Sequence, residues 1–291
     1  MSAAIVTPPL VVGIDGSESA LVALDWAAEE AARNGWPLRL VNAAEQYAIE
    51  VTTRLTGREA AEAMFAEARE RLAARGHGDL EVATVSRYGA PRRVLLHESA
   101  DARALVVGRE GIGRFEELLL GSTSLALTTH ADVPVIVIPE GWRPSPRERR
   151  VITVGVDGSE RAQHALEYAF MTASAWKADV VAVFAIDRPS PVLGETQPVD
   201  AEGKAEATRT LAEQVAGWRA KYPDIKVTEV VEMGHPAAVI KENSADADLV
   251  VIGGRGHGVV TGMLLGSIAR AVLHHVTRPI VVVHEPKSRR S

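Results

Sequence analysis

A chain of 291 residues with 46% hydrophobic and 24% charged residues is long enough for two ordinary domains and too apolar to be disordered as a whole. It has no cysteine, which excludes disulfides, thiolate zinc sites and cysteine nucleophiles. The net charge of −6, with 20 Asp and Glu against 14 Arg in residues 1–145, argues against general nucleic-acid binding.

Taken in chain order, Leu10 to Ile14 reads as a strand, and the turn Asp15-Gly16-Ser17 leads into a helix whose apolar residues Leu21, Leu24, Ala28 and Ala31 share one face. Gly35 is its stop signal. A strand follows over Leu38 to Ala43, then a helix from about Arg58 that closes at Gly76, then a strand over Leu80 to Tyr88. Pro91 suits the first turn of a short helix, and Ala104 to Val107 makes the fourth strand. A glycine-rich connection, a helix over Ser122 to His130 and a strand over Val133 to Ile138 complete the series.

The series is then written a second time. Val12-Gly13-Ile14-Asp15-Gly16-Ser17-Glu18 recurs as Val154-Gly155-Val156-Asp157-Gly158-Ser159-Glu160, and Gly89-Ala90-Pro91 recurs as Gly234-His235-Pro236. Strands are expected at Ile152 to Val156, Val180 to Ala185, Ile225 to Glu232, Leu249 to Ile252 and Pro279 to His284, with helices starting near Ala162, Ala205, Pro236 and Ser267. Strictly alternating strands and helices imply parallel sheets covered on both faces. The expected domains are 1–140 and 151–286, joined by a linker over 141–150 and followed by a basic tail over 287–291. No apolar run approaches the ~18 residues of a membrane span, and the start of the chain lacks signal-peptide character, so the cytoplasm is the expected location.

Gly108, Gly111, Gly121 and Ser122 lie in the connection after the fourth strand, and Gly253, Gly256, Gly266 and Ser267 repeat that spacing. Glycines let a ligand approach the backbone so that successive N–H groups converge on an anion, and a following helix start adds its own N–H groups. Ser122 and Ser267 stand where a hydroxyl caps the helix or donates to a phosphate oxygen. Asp15 and Asp157 end the first strand of each copy, where a carboxylate accepts from a ribose or amino group, or simply bonds its own turn ahead of glycine. No Gly-x4-Gly-Lys-Ser/Thr, Gly-x-Gly-x-x-Gly or Gly-x-Ser-x-Gly motif occurs, and no histidine pair has metal-site spacing.

With these motifs in the same order twice, the chain resembles the universal stress protein family in its tandem form. The resemblance implies two Rossmann-like domains of the adenine nucleotide α-hydrolase-like type, each a five-stranded parallel sheet of order 3-2-1-4-5. The glycine spacing resembles the ATP-binding branch, which implies ATP, with or without Mg2+, as the ligand. By that resemblance Asp15 and Asp157 contact the nucleoside, Ala43 and Ala185 meet adenine through their backbone, and Gly108, Gly111, Gly121, Ser122 and Thr123 hold the phosphates of the first site. Gly253, Arg255, Gly256, Gly266 and Ser267 do so in the second. It further implies a homodimer, a dimer-like pairing of the last strands Val135 to Ile138 and Ile280 to Val283, and an unidentified regulatory protein partner. Arg255 in the place of Glu110 favours tighter binding by the second copy, and Ala269 in the place of Ser124 removes one hydroxyl from it. The expected function is nucleotide-dependent sensing in stress, with slow ATP hydrolysis as the alternative; no base or carboxylate pair beside the loops supports the latter.

Overall fold

The structure is a computed structural model that describes residues 7–44, 51–111, 120–187, 201–254 and 265–285. The chain divides into two compact units, the first ending at Pro144 and the second running from Ser145 to Glu285. Both are α/β.

The first unit runs β1 (Leu10–Gly13), α1 (Glu18–Asn34), β2 (Leu38–Ala44), α2 (Val51–Ala74), β3 (Val82–Tyr88), α3 (Pro91–Glu98), β4 (Ala104–Gly108), α4 (Ser122–His130) and β5 (Val135–Ile138). Its parallel sheet has the order β3-β2-β1-β4-β5. Helices α1 and α2 cover one face, and α3 and α4 the other. β4 and β5 are buried along their whole length, so they read as unbroken apolar runs rather than as alternating ones. Ser17 caps α1, its Oγ accepting from the Ala20 amide, and Gly35 ends the helix in the left-handed region.

The second unit repeats the plan with β6 (Val151–Val156), α5 (Ala162–Trp176), β7 (Asp179–Ile186), α6 (Ala201–Lys221), β8 (Val227–Met233), α7 (Pro236–Asn243), β9 (Leu249–Gly253), α8 (Ser267–His275) and β10 (Ile280–Val283). Its parallel order is β8-β7-β6-β9-β10.

Most elements fall within two residues of where the sequence pattern predicts them, but α2 begins at Val51 rather than near Arg58. Gly57 reads locally as a break; in the fold the helix passes through it. A Cβ there would stand 3.4 Å from the Tyr88 hydroxyl of β3, an ordinary van der Waals contact.

The two units join their first two helices by different chemistry. In the first, Asp25 of α1, whose side chain is 4% exposed, receives Arg71 Nη2 of α2 at 2.8 Å and, from the turn just after α2, Arg75 Nε at 2.9 Å. The bond to Asp25 raises the Arg71 pKa above its ordinary value against the opposing effect of burial. In the second, Phe170 of α5 stacks with Trp218 of α6 at 5.9 Å between centroids, and Trp218 donates to Gln163 at 2.9 Å. Among the described residues no helix is long and apolar enough to cross a membrane.

Candidate functional site

Strand order reverses between β1 and β4, so the loops leaving their carboxyl ends part and open a crevice. On the β1 side the chain turns at Asp15-Gly16-Ser17. Asp15 Oδ1 accepts from the Ser17 amide at 3.0 Å and from the Ser17 hydroxyl at 2.6 Å, and Gly16 has φ +83°, a conformation that glycine adopts without strain. The other oxygen, Oδ2, lies 2.9 Å from where a Cβ on Gly111 would stand. The local turn therefore uses one carboxylate oxygen and directs the second at the glycine loop.

On the β4 side, a Cβ at Gly108 would overlap Ser19 Oγ and stand 2.7 Å from the Ser19 backbone carbon and oxygen. Only a glycine lets α1 lie this close to the strand end. Beyond it the loop is pinched shut at its base by a 2.8 Å bond from the Gly121 amide to the Arg109 carbonyl. Gly121 is then the N-cap of α4 and has no side chain to offer, so the amides of Ser122, Thr123 and Ser124 start the helix without a side-chain cap. Of the two roles open to Ser122, capping is not realised: it occupies the first helical position and is exposed.

Ala43 lies one residue before the end of β2. The Val41 carbonyl accepts from Ile14 just beyond the first strand, whereas the Ala44 carbonyl accepts from Gly89 beyond the third. Backbone groups alternate sides along a strand, so the Ala43 N–H and C=O face the β1 side, past the point where β1 has turned away. Main-chain polar groups thus border the crevice opposite Gly111.

The second unit reproduces this frame. Asp157 Oδ1 accepts from the Ser159 amide at 3.0 Å and from its hydroxyl at 2.7 Å. The Gly266 amide donates to the Gly254 carbonyl at 2.8 Å, and Gly266 is the N-cap of α8 with no side-chain bond, leaving Ser267 at the first helical position. Gly253 ends β9, and Ala185 faces the β6 side beyond Val156 as Ala43 faces β1. Arg255 and Gly256 lie outside the described residues.

Two sequence regions, residues 8–139 and 148–284, match the family model described as the universal stress protein family. The chain belongs to the universal stress protein family. It is 34% identical over 287 residues to a universal stress protein of Mycolicibacterium smegmatis, covering 94% of this chain and 96% of that one. It is likewise 34% identical over 293 residues to universal stress protein Rv2623 of Mycobacterium tuberculosis, covering 95% and 96%. The crystal structure of a universal stress protein from Archaeoglobus fulgidus superposes with a TM-score of 0.72 at 20% identity, covering 96% of each chain, which bears on fold alone.

Several residues of this universal stress protein that shape the crevice carry no motif of their own. Ser19 is 6% exposed and sets its hydroxyl against Gly108 and, at 3.4 Å, the Glu110 amide. Asn42 is also 6% exposed and donates to the Ile14 carbonyl at 2.9 Å, fixing the end of the first strand from β2. Arg109, whose carbonyl closes the loop base, is buried; desolvation pushes its pKa below the ordinary arginine range, against the pull of Glu110 and Glu140. Ser124 shows what the hydroxyl that the second copy lacks does in the first. It donates to the Gly108 carbonyl at 2.8 Å inside the unit, so Ala269 in the second copy removes an internal brace. The sole early signal for these residues is that polar side chains stand at positions where helix and strand periodicity calls for apolar ones.

Proposed function

We propose that this universal stress protein is a cytoplasmic ATP-binding sensor whose nucleotide occupancy biases its assembly with a regulatory partner. The observation that carries the reading is the approach of Asp15 Oδ2 to Gly111, across the crevice from the uncapped start of α4. The residues fit a nucleotide at each end. Asp15 and Asp157 present a carboxylate oxygen to ribose hydroxyls, and the main-chain groups of Ala43 and Ala185 read the edge of adenine. Gly108, Gly111 and Gly121, with Gly253 and Gly266, bring bare backbone up to the phosphates, and the amides that open α4 and α8 supply donors together with the positive end of the helix dipole. Ser122, Thr123 and Ser267 add hydroxyls at the same helix starts. Where Mg2+ accompanies ATP, it would be held by the phosphates, in keeping with its preference for retained water and phosphate oxygens.

Calorimetric titration of the full chain with ATP, ADP and AMP tests this, together with mass spectrometry of small molecules released on denaturing the purified protein. Two ATP-binding events per chain are expected. A folded chain that takes up no adenine nucleotide at millimolar concentration overturns the reading.

A further inference from the structure

The two crevices differ at one position that local sequence comparison passes over. Where the first unit has Ser19, the second has Arg161, at the entrance to α5. Ser19 is enclosed against Gly108, whereas Arg161 extends outward and pairs through Nε with Glu285 Oε2 at 3.5 Å, the two side chains 41% and 62% exposed. Glu285 follows β10, and β9 lies between β6 and β10 on the face that α5 covers. The ion pair consequently crosses the carboxyl end of β9. That is where the Gly254 amide bonds the Val283 carbonyl and the Gly254 carbonyl receives Gly266, at the base of the glycine loop.

We propose that Arg161 is a specificity-determining cation of the second nucleotide site, selecting polyphosphate over monophosphate ligands, with Glu285 as the internal anion that a phosphate displaces. This rests on the ATP-binding reading above. A guanidinium matches phosphate oxygens with paired donors, and charge-assisted bonds of that kind outlast a monodentate contact to an exposed carboxylate. The existing pair is long and open to water on both sides, so exchanging Glu285 for a phosphate oxygen costs little. Asp157 and Glu160 precede Arg161 and make the rim acidic, which disfavours an anion that does not engage the guanidinium. The first unit, with a buried hydroxyl in that place, has no such discrimination. Arg161 acts through hydrogen bonds and charge alone, and no covalent bond of the nucleotide is made or broken by it.

The experiment is a comparison of ATP and AMP affinities by calorimetry in the full chain, using wild type, Arg161→Ala, Arg161→Lys and Glu285→Gln, with circular dichroism to verify folding. The exposure of both side chains makes these variants foldable. Arg161→Ala is expected to weaken ATP at one of the two sites by about tenfold, the equivalent of one charge-assisted bond, while AMP shifts by less than about twofold. Arg161→Lys retains part of the preference, and Glu285→Gln tightens ATP. An unchanged ratio of ATP to AMP affinity in Arg161→Ala overturns the role of Arg161 alone, and weaker ATP binding in Glu285→Gln overturns the displacement. A wild-type chain that binds neither nucleotide overturns the ATP-binding reading and this inference together.

Discussion

The approach of Asp15 to Gly111 makes a prediction that can be checked without any ligand. Gly111→Ala adds one methyl carbon 2.9 Å from Asp15 Oδ2, well inside the about 3.5 Å at which nonbonded heavy atoms rest comfortably. Gly111 does not sit in the left-handed region, so the cost arises from that contact and not from φ. The carboxylate can turn away only by loosening its bonds to the Ser17 amide and hydroxyl at 3.0 and 2.6 Å, and Ser17 in turn caps α1. The expected destabilisation is about 1–3 kcal/mol, in the range for a small insertion into a filled site. In an Asp15→Ala background the obstructing oxygen is gone, and the same methyl should cost little. Urea denaturation of the four chains in that cycle reads the coupling, expected at about 1–2 kcal/mol. Additive costs, with coupling under about 0.3 kcal/mol, would refute the claim that Asp15 and Gly111 share one site. The same Gly111→Ala chain should bind ATP about tenfold more weakly at one of its two sites in calorimetry, since 1.4 kcal/mol is a factor of ten.

Three other substitutions test the surrounding frame. Gly108→Ala drives a carbon to within 2.7 Å of the Ser19 backbone, which cannot swing aside as a side-chain tip can; thermal melting should show a loss of about 3 kcal/mol or more, and a near-neutral result would place α1 farther from β4. Asp25→Ala removes the shared acceptor of Arg71 and Arg75, but those guanidinia retain 21% and 38% exposure and can reach water, so about 1–3 kcal/mol is expected in urea titration, below the usual cost of stranding a buried charge. Asp101, bonded by Arg39 at 2.7 Å, has its pKa held below the ordinary value mainly by that bond. Because the folded pKa is the lower one, its contribution is present above the unfolded value near 3.8 and is lost as pH falls through the folded one. Asp101→Asn should therefore lower stability at neutral pH, by a small amount because the side chain is 67% exposed, and the difference from wild type should fade as pH drops below about 4; a difference that grows in acid would contradict the assignment.

What the sequence determined by itself was everything decided over short distances along the chain. Alternation of apolar runs with helical patterns specified parallel α/β units, their repetition specified two of them, and Asp15-Gly16-Ser17 encoded a turn closed by its own side chains. The resemblance to the universal stress proteins, carried by those motifs, already implied the strand order that the structure displays. Tertiary structure alone decided which groups meet. Asp15 faces Gly111, Ser19 touches Gly108, Asn42 braces Ile14 and Arg161 reaches Glu285, and each pair depends on which strands are neighbours and how closely a helix lies on them. The helix start at Val51 belongs with these, since α2 runs through Gly57 instead of beginning after it. Local propensities are worth a few tenths of a kcal/mol to about 1 kcal/mol per residue, and burial against a distant element readily exceeds them.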